Sequence, residues 1–270
     1  MSGSALLGSG RRIGAMVYRH LCLYRGSWPR LLELMYWPVL QMVIWGFVTQ
    51  YTGRFQGAVA IAAGSLIGAV LLWETALRSQ MGFTISFLEE LWSRNLGNLF
   101  VSPIRPWELV ASLMVMSLVR ALVGVGSAAL LAAVLYAFRI TDLGVLLVPF
   151  LLNLMLFGWA VALMVTAMIL RHGAGAESLA WSVLFGLAPL SAVFYPVSVL
   201  PGWLQPVALA LPTTHVFEGM RAVLAGGAFP AAHLAWAFAL NAILLAAAVA
   251  IFVGIFRIAR RRGLLLSVGE

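Results

Sequence analysis

From His233 to Phe256 the chain reads HLAWAFALNAILLAAAVAIFVGIF, with no Asp, Glu, Lys or Arg. A helix of about 20 mostly apolar residues crosses the hydrocarbon core of a bilayer, where each backbone N–H and C=O must find its partner inside the segment. This run is long enough to cross, and similar runs recur along the sequence. Hydrophobic residues make up 63% of the chain, against roughly 45–50% in soluble domains. The chain therefore reads as an all-α integral membrane protein, with no stretch left over for a soluble domain.

Six spans are predicted, over 31–51, 57–77, 108–138, 143–170, 175–195 and 233–256. The third and fourth exceed the crossing length and are expected to tilt or to project from the membrane. Gly64 and Gly68 of the second are spaced for close helix approach. Ahead of the first span lies RRIGAMVYRHLCLYRGSWPR, 11–30, where Ile13, Val17, Leu21 and Tyr24 recur at helical spacing against Arg12, Arg19, His20 and Arg25. That is the pattern of a basic helix in the membrane interface; a helical extension of the first span is the alternative. Arg11 and Arg12 follow the short weakly apolar N-terminal run, which is the wrong order for a cleaved signal peptide. The first span is the expected targeting signal.

The net charge is +8, all seventeen basic residues are Arg, and there is no Lys. The arginines sit in short connections and near the two ends, which suits topology determinants and not a nucleic-acid surface. With the N-terminus inside, thirteen fall on the inner side and only Arg54, Arg139 and Arg221 on the outer, leaving Arg120 within a span. Cytoplasmic segments carry the positive excess, so both ends are expected in the cytoplasm of a bacterial inner membrane protein.

Catalysis within the chain is not indicated. Asp142 is the single Asp and Cys22 the single Cys, and the four His divide into His20 and His172 inside, His215 and His233 outside. No metal-ligand spacing and no G-x-S-x-G motif occurs. A phosphate-cradling loop needs a Lys to reach the terminal phosphates. With none present, any ATP hydrolysis is expected on a separate polypeptide, and no cofactor is expected on this one.

Polar groups at membrane depth are costly and are functional candidates by default. At a rise of about 1.5 Å per residue, Gln41, Arg120 and Asn153 fall some 15 to 18 Å into their predicted spans. They would either line a substrate path, with Arg120 attracting an anionic group, or bond between helices, with Arg120 paired to a carboxylate such as Glu74. Trp28, Tyr36, Trp37, Trp73, Trp92 and Trp107 toward the inner side, and Tyr51, Trp203 and Trp236 toward the outer, read as interfacial belts.

Two segments depart from the apolar pattern. The first is FLEELWSRNLGNLFVSPIRPWEL, 87–109. A helix over 88–100 sets Leu88, Leu91, Trp92, Leu96 and Leu99 on one face and Glu90, Arg94 and Asn98 opposite, with Glu90 and Arg94 in i,i+4 relation. The second is 196–230, too apolar for a solvated loop, yet cut by Pro196, Pro201, Pro206 and Pro212 into pieces too short to cross. A re-entrant hairpin buried against the bundle fits both facts, and an irregular amphipathic loop on the outer surface is the alternative.

In these features the sequence resembles the membrane subunits of ATP-binding-cassette exporters known as ABC-2 permeases. The likeness rests on the basic N-terminal helix, the six spans, LEELWSRNLGNLFVSPIRPWEL between spans two and three, and FYPVSVLPGWLQPVALALPTTHVFEGMRAVL before span six. In the last, Tyr195-Pro196 stands where the family has Phe-Pro. The resemblance implies that 88–100 is a coupling helix seated on a cytoplasmic ATPase, contacted through Glu89, Glu90, Arg94 and Asn95, with Trp92 as a buried anchor. It implies two copies of that ATPase, carrying ATP and magnesium, and two permease copies, expected as a homodimer, enclosing a path through membrane lipid. The outer segment, with Tyr195, Glu218 and Arg221, would gate the exit. Among the branches the likeness is to exporters of drug-like, amphipathic or lipid-linked cargo, nodulation-factor export permeases included. An ion-coupled secondary carrier would call for inverted repeats and midplane carboxylates. A non-transporting scaffold would make 88–100 a docking helix without a path.

Overall fold

Gly26 and Ser27 part the first two helices, α1 (Gly3–Arg25) and α2 (Trp28–Thr52), in a computed structural model that describes residues 3–53, 58–136, 144–227 and 229–261. Pro29 sits in the first turn of α2, where its missing N–H leaves no bond unmade and its fixed φ suits the helix. The segment 11–30 therefore breaks from the first span. Among the described residues the regular structure is helical throughout, continuing with α3 (Ala58–Trp92), α4 (Leu96–Val101), α5 (Pro106–Tyr136), α6 (Leu147–His172), α7 (Leu179–Leu190), α8 (Gln205–Leu209), α9 (Pro212–Leu224) and α10 (Ala231–Arg261). Arg54, Arg139, Asp142, Arg262, and the predicted span ends at 57, 137–138 and 143 lie outside the described residues.

Four of these helices, α2, α5, α6 with the turn before it, and α10, are long and apolar enough to cross a membrane. Three sequence expectations are corrected here. The predicted second span does not stop at Leu77, because α3 runs on to Trp92. Nothing in 78–87 breaks a helix, and Ser79 and Ser86 return their hydroxyls to the carbonyls of Thr75 and Gly82, so this polar stretch stays helical and buried. The predicted helix over 88–100 is not one helix: 88–92 are the last residues of α3, and the chain turns at Ser93, Arg94 and Asn95 before α4 begins. Arg94 takes a left-handed φ of 52° at that turn. Finally, the α-helix within 175–195 is the 12 residues of α7, about 18 Å of helix against a hydrocarbon core of about 30 Å. Gly173, at φ 67°, ends α6 before it, and the chain bends after it at Ala192, whose φ is 49°.

Helix α3 is the centre of the bundle. α2, α5, α6 and α7 pack on it, α2 also packs on α5, and α10 packs on α6 and α9. Phe83, Phe150, Phe157 and Phe217 are sealed in the core between them. Two close approaches fall at glycines outside the Gly64–Gly68 pair. A Cβ on Gly158 of α6 would run into Ser79 Oγ and the Ala76 carbonyl of α3, and one on Gly46 of α2 would overlap the ring of Tyr136. That ring lies across α2, its hydroxyl donating to the Val43 carbonyl at 3.2 Å.

Candidate functional site

The charges around the end of α3 turn inward. Arg12 grips Glu108 in the first turn of α5 with a two-pronged bond, Nε to Oε2 at 2.8 Å and Nη2 to Oε1 at 2.6 Å. Arg19 Nη1 donates to both oxygens of Glu90 at 2.6 Å, and Asn95 Nδ2 donates to Glu90 Oε2 at 2.7 Å. His20, fully buried, lies 3.5 Å from Glu89 and 3.5 Å from Glu90. Arg120 reaches Glu89 at 3.2 Å and lies over the Tyr24 ring, 4.8 Å from its centroid. Arg12 meets Glu108 and Tyr24 meets Arg120, so α1 ascends alongside the first half of α5 and closes over the end of α3.

This network brings Glu89, Glu90, Asn95 and Arg120 together, with roles other than those the spacing suggested. Glu90 is 1% exposed and its carboxylate is held within the chain, leaving no face for a partner protein. Arg120 does not pair with Glu74, which holds Arg78 at 3.0 Å. It stands level with Glu89, three residues from the end of α3, because α3 extends about 22 Å beyond Leu77. Trp92 is 55% exposed at the rim of the smaller chamber described below, its Nε1 donating to Glu177 at 2.9 Å just before α7. Arg94 is exposed beside it.

Of the predicted midplane set, Asn153 is fully buried against Asn241 of α10. Gln41 instead lines a cleft between α2 and α7, which both lean on α3. Two chambers, of about 220 and about 410 Å³, share Glu33, Arg78, Met81, Ile85 and Trp181. The inner chamber adds Tyr24, Arg30, Glu89 and Arg120, the other Trp37, Gln41, Glu74 and Phe185. Burial pushes the Tyr24 hydroxyl up to about 12, so it stays a neutral donor in this charged setting.

At the far end, Tyr195, Glu218 and Arg221 gather on one turn. Arg221 donates to the carbonyls of Ala192 and Val193 at 3.0 and 3.3 Å and to Glu218 at 2.9 Å. Glu218 accepts from the Val197 N–H at 2.8 Å, and Tyr195 donates to the Pro189 carbonyl at 2.7 Å. Together they fasten the chain leaving α7 to α9. α9 is itself buried along most of its length, with Phe217 against Trp73 of α3.

A family model described as ABC-2 type transporter matches residues 11–225, from within α1 to the end of α9. The chain belongs to the ABC-2 type transporter family. No curated protein matches it. As an ABC-2 membrane domain it is the transmembrane part of an ABC transporter and not the ATPase, and such domains generally partner with an ATP-binding-cassette ATPase.

Several residues around the cleft and the end of α3 in this permease stand out by no local pattern in the sequence. In sequence, Arg30 is one of the topology-setting arginines and Trp37 one of the belt residues, while Glu33, Glu177 and Trp181 carry no signal. Their meaning comes from α2, α3 and α7 meeting side by side, which no local spacing encodes.

Proposed function

We propose that this permease is the membrane subunit of an ATP-driven exporter of amphipathic, lipid-linked or drug-like cargo. In this reading the polypeptide crosses a bacterial inner membrane six times with both ends in the cytoplasm, α3 providing the second crossing and the short α7, lengthened by the chain on either side of it, the fifth. Two copies, as a homodimer, work with two ATPase subunits, on which ATP and magnesium bind; this chain carries no cofactor. The segment 196–230, as the helices α8 and α9, forms a re-entrant hairpin at the outer side, and Tyr195, Glu218 and Arg221 hold its hinge.

The observation that carries the coupling role is Trp92. An indole left 55% exposed at the end of the central helix, tied to Glu177 and next to the Arg94 turn, is a ready anchor for a partner. Force applied there acts on α3, against which α2, α5, α6 and α7 are packed. Glu89, Glu90 and Asn95 support that surface from within, and Trp92 and Arg94 offer the outward contacts. Co-purification with the ATPase from a neighbouring gene, with ATPase assay of Trp92→Ala and Arg94→Ala, tests the reading. Reduced association with an intact permease is the expected result. Unchanged association and hydrolysis in both variants would remove the coupling assignment.

A further inference from the structure

We infer that the cleft between α2, α3 and α7 binds the phosphate-class anionic headgroup of an amphiphile, with Arg30 and Arg120 taking the anion. This rests on the exporter reading proposed above, for which it names the cargo class. The five residues shared by the two chambers make them one continuous cleft, polar at the α1 end and aromatic at the other. The larger chamber, at about 410 Å³, falls in the range of roughly 300–1,000 Å³ typical of small-molecule sites.

The charge pattern singles out the polar end. The inner chamber has three arginines, Arg30, Arg78 and Arg120, against Glu33 and Glu89. Arg78 is occupied by Glu74, and Arg120 meets Glu89 through its Nη2. Arg30 forms no ion pair among the described residues and lines the same chamber as Arg120, where both charges act on the Tyr24 hydroxyl and the Glu89 carboxylate. Arg120 is only 3% exposed, yet its Nε has no hydrogen-bond partner among the described residues. A buried guanidinium with a spare donor is incomplete without an acceptor, and the guanidinium fork matches phosphate oxygens. Tyr24 supplies a neutral donor beside it. Glu33, exposed on the rim one turn from Arg30, can accept from a headgroup hydroxyl or ammonium.

The other end suits a hydrocarbon tail. Trp37, Trp181 and Phe185 are each nearly half exposed or more and flank the opening between α2 and α7. An amphiphile can enter sideways from lipid with its tail still in apolar surroundings, bringing its headgroup to Arg30.

The test uses the full chain purified in a maltoside detergent, which adds no phosphate, with radiolabelled dioctanoyl phosphatidic acid as probe in equilibrium dialysis. Saturable binding is expected, weakened at least tenfold by Arg30→Gln and less by Trp181→Ala, while dioctanoylglycerol binds far more weakly than phosphatidic acid. Arg30 forms no ion pair among the described residues and acts on Glu89 through its charge alone, so its variant can be read even where Arg120→Gln fails to fold. Inorganic phosphate is run as competitor. If it displaces the probe only at much higher concentration, the ligand is the amphiphile; equal potency supports the anion site and assigns it to free phosphate. Equal binding by wild type and Arg30→Gln, or by dioctanoylglycerol and phosphatidic acid, overturns the proposal. ATPase association, measured separately, keeps the two readings apart: lost binding with an intact, active complex removes only the headgroup site, and binding without any ATPase partner removes only the exporter reading.

Discussion

Asn241 of α10 donates its Nδ2 to both the side-chain oxygen and the backbone carbonyl of Asn153 on α6, at 2.5 and 2.9 Å. Both residues are shut off from solvent, at 2% and 0% exposure, so neither can exchange its partner for water. A double-mutant cycle with Asn153→Leu and Asn241→Leu should give a coupling energy of about 0.6 to 1.7 kcal/mol, the range for interhelical bonds in membrane proteins. Thermal unfolding in detergent reads it. A coupling near zero would return Asn153 to the list of path residues.

The Arg19–Glu90 pair is asymmetric, since Arg19 keeps 39% of its side chain exposed and Glu90 only 1%. Removing the arginine strands a buried carboxylate, whereas neutralising the carboxylate leaves an arginine that can swing into water. Arg19→Ala should therefore cost on the order of 3 kcal/mol and Glu90→Gln clearly less. Hydrogen exchange over α1 in the two variants checks the order, because α1 is the element this pair pins.

Gly158 is predicted to be the least replaceable glycine of the α3–α6 contact. Gly158→Leu pushes a side chain against Ser79 Oγ and the Ala76 carbonyl, both on a helix that cannot retreat because α5 packs on it as well. A loss of about 1 to 3 kcal/mol or more is expected, the cost of overpacking. Gly254, where a Cβ meets nothing within 4 Å, is the matched control, and its Ala variant should unfold like wild type.

His215 makes the α9 region sensitive to acid. Burial holds its pKa below the ordinary histidine value, and the charge of His233 acts in the same direction against the bond to the Leu209 carbonyl. The unfolded chain then binds the proton more readily than the folded one, so stability rises with pH across the interval between the two pKa values. The contribution is complete above about 6.5, the unperturbed histidine value, and is lost as pH falls toward the lower folded value. Hydrogen exchange of α9 should accelerate between neutral and acidic pH in the wild type, and His215→Gln should flatten that dependence.

Much of the architecture was legible because it depends on quantities summed along the chain. Apolar length identified the helices now seen as α2, α5, α6 and α10, and the prolines at 196, 201, 206 and 212 marked the segment where helices stay short. The errors came where a local pattern had two solutions. Residues 88–92 satisfy an amphipathic helix of their own and the end of a longer one equally well, and only the packing of α3 against α5 and α6 selects the second. The charges of 89–95 read as an outward face because an isolated helix has no other side on which to put them. α1 provides one, through Arg19 and His20.

The sequence by itself determined that this chain is a helical membrane protein without a phosphate-binding Lys motif, and the family match over 11–225 agrees with that reading of its class. Hydrophobic length and the absence of a residue type do not depend on how the helices are arranged. Only the tertiary structure decided that Glu90 is a buried brace, that Asn153 is spent on Asn241, and that Arg30, Arg120 and Trp181 face one cleft. A charge or an amide has no fixed meaning in sequence, because its energy depends on whichever partner, distant along the chain, the fold brings within about 3 Å of it.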